Sequence, residues 1–330
     1  MSVGNLLHMT APLRDAFDIP FHAIGGASEP LRLALVAGVH GNELNGIFVL
    51  GRLADFLAEV AAGARLPLRL HGRVVIIPAV NVLGVNTGRR AWPFDGTDIN
   101  RMFPGYDAGE TTQRIAHAVL QATVPSYFRI DVHSSNPEFE EVPQVRLYDP
   151  TQAERQTARL FGLPAVVERP TSAVASSTLL HAWRGSGGES FVLQAGHAGS
   201  LQLKHCERLF HALVGFLGRT GILSGHTLAD EDDEVHYFGR RQTFPLVAEK
   251  AGFFVSTLQV GTWLHAGDPI GTVYDAFAGR LRVEVRAPVA GMLSGLRRQP
   301  LLCEGDLVAR IQTRHEIDAG AETFLYGHGQ

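Results

Sequence analysis

Cysteine is scarce in this chain: Cys206 and Cys303 are its only two, far apart and without a C-x-x-C spacing. That excludes a disulfide framework and points to a reducing compartment. Long hydrophobic runs are missing as well. No stretch reaches the roughly 18 apolar residues that suggest a membrane span. The N-terminus lacks the charged start and apolar run of a secretory leader. The expectation is a cytoplasmic protein with no membrane role. Charge of one sign is also lacking: 29 Lys and Arg stand against 33 Asp and Glu, a formal net charge of −4. No Lys/Arg run would follow a phosphate backbone, so nucleic acid is not an expected partner.

What is present is ordinary for a globular protein. Hydrophobic residues make up 45% and charged residues 19% of 330 positions, and that length suits one large domain plus a smaller one. Fifteen histidines are many. Most should be surface or packing residues, so the count by itself assigns no site.

The first half alternates short apolar runs with segments of helical periodicity. Leu31 to Ala37 reads as a buried strand ending at Gly38, and Leu44 to Ala62 as a helix stopping near Gly63. Arg73 to Pro78, Tyr127 to Val132 and Phe191 to Ala195 read as further buried strands, with helices over about Thr111–Ala122 and Leu203–Leu217. Buried strands alternating with helices predict an α/β fold, a mostly parallel or mixed sheet with helices on both faces. Ligands of such sheets bind beyond the carboxyl ends of the strands, where the polar clusters after Ala37, Pro78 and Val132 fall. The expected division is an α/β domain over 1–225 and a β-rich domain over 226–330. The acidic run Asp230–Glu234 reads as a solvated linker. Beyond it, the Gly-Asp steps at Gly267-Asp268 and Gly305-Asp306 flank the turn Ala287-Pro-Val-Ala-Gly291. That arrangement resembles the biotinyl/lipoyl-type barrel. No lysine lies between Thr272 and Arg286 to carry a prosthetic group, so a structural addition is the better reading.

The sharpest local feature is Gly38-Val-His40-Gly-Asn-Glu43-Leu-Asn-Gly46, at a strand end and helix start. A His and a carboxylate three positions apart face one side of the first turn, and both are zinc ligands at about 2.0–2.2 Å. A catalytic zinc takes three protein ligands and keeps one position open. Asp131-Val-His133-Ser-Ser135, at another strand end, offers the third ligand. Asp131 falls on the His133 side of that strand, where it could orient the imidazole. A lone His-x-x-Glu is common by chance; the convergence of both segments on strand ends is what carries the reading. A second cluster runs from Asn81 through Arg89-Arg90 and Asp95-Gly-Thr-Asp98 to Asn100-Arg101 and Gly105. Taken alone it could be a surface loop, yet arginine forks grip carboxylates and polarise carbonyls.

Together the segments Gly38–Glu43, Asp98–Gly105 and Asp131–Ser134 resemble the succinylglutamate desuccinylase/aspartoacylase family of zinc carboxypeptidase-like hydrolases, nearest its N-acyl-amino-acid deacylase branch. The resemblance implies one zinc per chain on His40, Glu43 and His133. It implies a substrate-carboxylate clamp of Asn100 and Arg101, and Arg90 as the group that polarises the scissile carbonyl. The implied partner is a small-molecule carboxylate; a homo-oligomer is compatible, and the sequence leaves oligomeric state open. One departure stands out. The family's general base is a glutamate where this chain has Gln194, and an amide is not basic. Glu189, His197 or another carboxylate (Glu138, Glu140, Glu141) could substitute, with His181 a weaker candidate. Two alternatives to deacylation therefore stay open: a metallocarboxypeptidase acting on peptides, and a catalytically degenerate zinc-binding module.

Overall fold

The computed structural model describes residues 2–11, 14–171, 176–225 and 234–317. An antiparallel hairpin, β1 (Ser2–Ala11) and β2 (Arg14–Ile24), precedes the alternating elements. These are β3 (Leu31–Ala37), α1 (Leu44–Ala61), β4 (Arg69–Leu70), β5 (Arg73–Ile77), α2 (Val82–Thr87), α3 (Thr111–Thr123) and β6 (Phe128–Ser135). Next come β7 (Phe139–Tyr148), α4 (Gln152–Thr157), β8 (Ala165–Arg169), α5 (Leu179–Arg184), β9 (Glu189–His197) and α6 (Leu203–Arg219). After β10 (Leu223–Ser224) and β11 (His236–Phe238), the C-terminal strands are β12 (Thr243–Val247), β13 (Gly252–Val255), β14 (Trp263–Leu264) and β15 (Pro269–Tyr274). The last four are β16 (Leu281–Arg286), β17 (Gly291–Arg297), β18 (Leu301–Leu302) and β19 (Leu307–Gln312). Every strand and helix expected in the first half is present, with ends shifted by a few residues. The linker reading of the acidic run falls largely outside the described residues. Among those described, no helix is long and apolar enough to cross a membrane.

The centre of the sheet is parallel, in the order β5-β3-β6-β9, with antiparallel strands on either side. Strands buried on both faces alternate between two cores. Leu33, Leu35, Ile130, Val132, Phe191 and Leu193 face α1 and α6. Val36, Ile77 and Val192 face α3, α5 and the loop carrying Trp92, Ile99 and Phe103. Asp131 and His133 alternate with Ile130 and Val132, so they project from the second face, beyond the helical cover at the strand's carboxyl end. The sheet is therefore mixed, with helices on both sides as expected.

The C-terminal strands do not close into a ring among the described residues. β12, β19 and β17, with β14 beside β17, extend the main sheet through pairing of β17 with β7, Gly295 opposite Glu141. Strands β16-β15-β13-β18 form a separate four-stranded sheet. Phe254, Ile270, Val273, Leu293, Val308 and Ile311 fill the core of this region. The expected barrel thus appears as two open sheets, one continuous with the α/β layer.

The α6 face depends on Phe216, fully buried. Its ring stacks on Phe161 at 4.1 Å and meets Phe128 edge-on at 5.3 Å. Phe216→Ala should cost about 3–5 kcal/mol, the range for a truncated core aromatic. Urea unfolding would check this, and a loss below about 1 kcal/mol would mean that this face repacks freely.

Candidate metal centre

Two strand ends build the site. β3 stops at Ala37, Gly38 turns the chain at φ 61°, and Glu43 takes the N-cap position of α1. A carboxylate there sits at the positive end of the helix. Parallel pairing of β3 with β6, Ala37 opposite Val132, sets His133 one residue beyond that level. His40, Glu43 and His133 are all buried, and one ligand atom from each lies within 4.8 Å of the others.

Each imidazole is held at both nitrogens. His40 Nδ1 lies 2.7 Å from Glu43 Oε1, and its Nε2 lies 3.1 Å from Asp98 Oδ1. His133 Nδ1 lies 2.9 Å from Glu43 Oε2, and its Nε2 lies 2.8 Å from Asp131 Oδ2. Both rings thus rest an Nε2 on an aspartate and turn Nδ1 toward the same glutamate. The backbone N–H of Ser134 donates to Glu43 Oε2 at 3.0 Å, and Arg90 Nη1 donates to Glu43 Oε1 at 3.0 Å. Burial pushes the Glu43 carboxyl up, but the His40 and His133 rings outweigh it and hold the group well below the usual carboxylate range. Burial pushes His133 down, and Asp131 and Glu43 outweigh that, raising it well above its ordinary value. Two imidazoles and one carboxylate, with an aspartate behind each ring, form a donor set that suits zinc.

Arg90 reaches this centre from a loop because its backbone is fixed. Its carbonyl accepts from Gly41 N at 3.1 Å and from Asn81 Nδ2 at 3.2 Å. Gly41 has no room to be anything else: a Cβ there would come within 2.2 Å of the Gly84 backbone. Asn100 donates its N–H to Asp98 Oδ1 at 2.9 Å and accepts from Leu179 N at 3.0 Å, which ties the loop to α5. Arg101 Nη1 donates to the Asn100 carbonyl at 3.2 Å. Gln194 pairs in register with His133 and is buried beside it on the same face.

Most of the substitutes considered for a base are engaged by other groups or exposed. Glu189 pairs with Phe128 at the opposite end of β9 and accepts from Tyr127 at 3.0 Å. Glu140 is engaged by His205 at 2.6 Å and by Arg298, and Glu141 by Arg146 and Arg310. Glu138 and His181 are exposed. His197 Nδ1 lies 2.9 Å from the Ala198 carbonyl. Asp98 was not recognised from sequence as the partner of His40. Its signals were membership of the polar loop and its place at the head of the Asp98–Gly105 segment. Asn45 was also missed; it is fully buried, bonded to the Ala195 carbonyl at 3.3 Å and to Gln202, and it pins α1 to the end of β9.

Residues 30–217 match the model of the succinylglutamate desuccinylase/aspartoacylase catalytic domain. The chain is 27% identical over 304 residues to an N-alpha-acetyl-L-2,4-diaminobutyric acid deacetylase of Halomonas elongata, covering 89% of this chain and 85% of that relative. Its fold resembles that of a succinylglutamate desuccinylase from Silicibacter sp. TM1040 with TM-score 0.77, 23% identity and 94% of each chain covered. It also resembles the product-bound ectoine utilization protein EutE (DoeB) of Ruegeria pomeroyi, with TM-score 0.75, 24% identity and 94% of each chain covered.

The His133→Ala chain should lose stoichiometric zinc while keeping its fold, as read by metal analysis beside circular dichroism. Asp98→Asn, which weakens the hold on His40 and leaves all three ligands in place, should lower zinc affinity about 10–100-fold in a chelator competition. Full zinc retention by His133→Ala would place the metal elsewhere.

Proposed function

The chain belongs to the succinylglutamate desuccinylase/aspartoacylase family, and from that premise we propose that it is a zinc-dependent hydrolase cleaving the amide bond of a small N-acylated amino acid or related carboxylate. The observation that carries this reading is the convergence of His40, Glu43 and His133 with Arg90 at one buried point. Zinc held by the three ligands would supply Lewis acidity at the carbonyl and lower the pKa of water.

The chain's own groups account for the remaining steps. Arg90 is half exposed and reaches Glu43 with one Nη, so its fork can also meet a carbonyl oxygen and stabilise charge developing there. Arg101, a short 3₁₀ turn away from Asp98, is proposed to pair with a substrate carboxylate, with Asn100 donating its side-chain N–H beside it. Gln194 cannot accept a proton, but its amide can hold a water or a substrate oxygen by hydrogen bonding. The β-rich region read from sequence as residues 226–330 is proposed as a second unit, its described strands joining the α/β layer through β17 and β7. The Halomonas relative is named a deacetylase, which favours an acyl–nitrogen bond over peptide trimming.

A second reading rests on Gln194 alone: a zinc-binding module that has lost turnover. The zinc-loaded chain should release acetate from N-acetyl amino acids faster than it releases residues from short peptides. Arg101→Ala should raise KM roughly 10–100-fold, the worth of a charged hydrogen bond. Gln194→Glu should raise kcat, by up to about 10²–10⁴ if the glutamate serves as base. An inert wild type awakened by Gln194→Glu would favour the module; inertness of both would reject the hydrolase reading.

A further inference from the structure

Gln194 leaves the proposed reaction without a proton acceptor at its own position, and the end of β9 offers one. His133 of β6 pairs with Gln194 of β9, and the next pair is Ser135 with His197. One residue separates the two pairs on β6 and two separate them on β9, so β9 carries a bulge at Ala195–Gly196. Side chains alternate along a strand, and one extra residue reverses the alternation. Ala195 fills the α1/α6 core, and His197 thereby returns to the face of Ser135 and His133. At ordinary strand rise and spacing, the His133 and His197 Cα atoms stand roughly 8 Å apart.

The bulge is held by the turn and helix start that carry His40 and Glu43. Gly196 adopts φ 68°, and a Cβ there would come within 2.1 Å of Gln202 Oε1. Asn45 Nδ2 donates to the Ala195 carbonyl at 3.3 Å and to Gln202 Oε1 at 3.1 Å. Gln202 N donates back to Asn45 Oδ1 at 2.9 Å, and Gln202 Oε1 accepts from the His197 N–H at 2.8 Å. Beyond His197, Ala198 N donates to the Ser135 carbonyl and Gly199 N to the Asn42 carbonyl, both at 2.8 Å. Asn42 lies between the two ligands of that turn. The backbone on either side of His197 is therefore tied to segments of the metal centre.

The imidazole is fixed as well. Its Nδ1 lies 2.9 Å from the Ala198 carbonyl. A carbonyl only accepts, so in the neutral ring Nδ1 carries the hydrogen and Nε2 presents a lone pair. Ser200 Oγ stands 3.4 Å from Nε2, long for a hydrogen bond, so a water can take its place. His197 is half-buried, open to a substrate yet set in direction.

We infer that His197 Nε2 is the proton acceptor of the reaction, in the role that the Gln194 amide cannot fill. The inference rests on the hydrolase reading and names the group it lacked. Nε2 takes one proton from the attacking water as the water oxygen bonds the acyl carbon. The imidazolium gives that proton to the amine nitrogen as the carbon–nitrogen bond breaks, and the acid product keeps the second hydrogen of the water. Gln194, across the bulge, can hold the same water through its amide.

The zinc-loaded full chain and its His197→Ala variant are compared on N-acetyl amino acids, with metal content and thermal midpoint measured on both. The variant should keep its zinc and its midpoint while kcat and kcat/KM fall together, roughly 10²–10⁴-fold. Added imidazole should raise the rate of the variant and not that of the wild type. Nitrogen-15 spectra of the two chains, whose difference assigns the His197 ring, should show hydrogen on Nδ1 and none on Nε2 in the neutral form. A variant as active as the wild type, a loss that imidazole leaves unrestored, or a hydrogen on Nε2 of the neutral ring would each overturn the assignment and leave the hydrolase reading standing. A wild type that hydrolyses no N-acyl amino acid would end the hydrolase reading and the assignment together.

Discussion

One carboxylate, Glu43, organises the site. It accepts from two imidazoles, a backbone N–H and a guanidinium, drawn from a strand end, a helix start and a loop. Taking a carboxylate out of water is expensive without such partners. Here cationic or polarised hydrogens surround it in the position that a bound cation would take. The aspartates behind the rings, Asp98 and Asp131, fix which nitrogen of each faces inward. The parallel β3–β6 pairing brings His133 within reach of Glu43, and the close approach of Gly41 to α2 brings the Arg90 loop into reach. Much of the α/β layer serves to hold these few side chains in place.

The parts of this arrangement written in local pattern were legible in the sequence. Continuous apolar runs such as Leu31–Ala37 mark buried parallel strands, and polar residues at their carboxyl ends mark the site. His40, Glu43, His133 and the orienting Asp131 followed from that logic. β7 did not. Its sequence, Phe-Glu-Glu-Val-Pro-Gln-Val-Arg-Leu-Tyr, has no apolar run, yet nearly every residue is buried because its polar side chains pair with Arg310, His205 and Arg298 from distant segments. Pairings of that kind leave no local periodicity. The same reason hid Asp98 behind His40 and Asn45 beneath β9. Asn100 and Arg101 were placed by motif, and the structure sets them one turn from the His40 partner.

The C-terminal region illustrates how resemblance and geometry divide the work. Its Gly-Asp turns suggested a barrel, and its strands instead lie in two open sheets, one of them joined edge to edge with β7. Backbone pairing between β17 and β7 crosses that joint. Arg298 reaches Glu140 on one face while Arg310 reaches Glu141 on the other. Adjacent glutamates on one strand are thereby clamped from opposite sides by the same C-terminal region. Glu141 belongs to the metal-side face of the sheet.

The central claim is that His40, Glu43 and His133 hold one zinc through two imidazole nitrogens and a carboxylate oxygen. X-ray absorption at the zinc edge of the metal-reconstituted chain reads that ligand set directly. The account predicts a low-coordinate zinc with two imidazoles, nitrogen and oxygen distances of about 2.0–2.2 Å and no sulfur. A spectrum with sulfur at about 2.3 Å, or one without imidazole scattering, would contradict it.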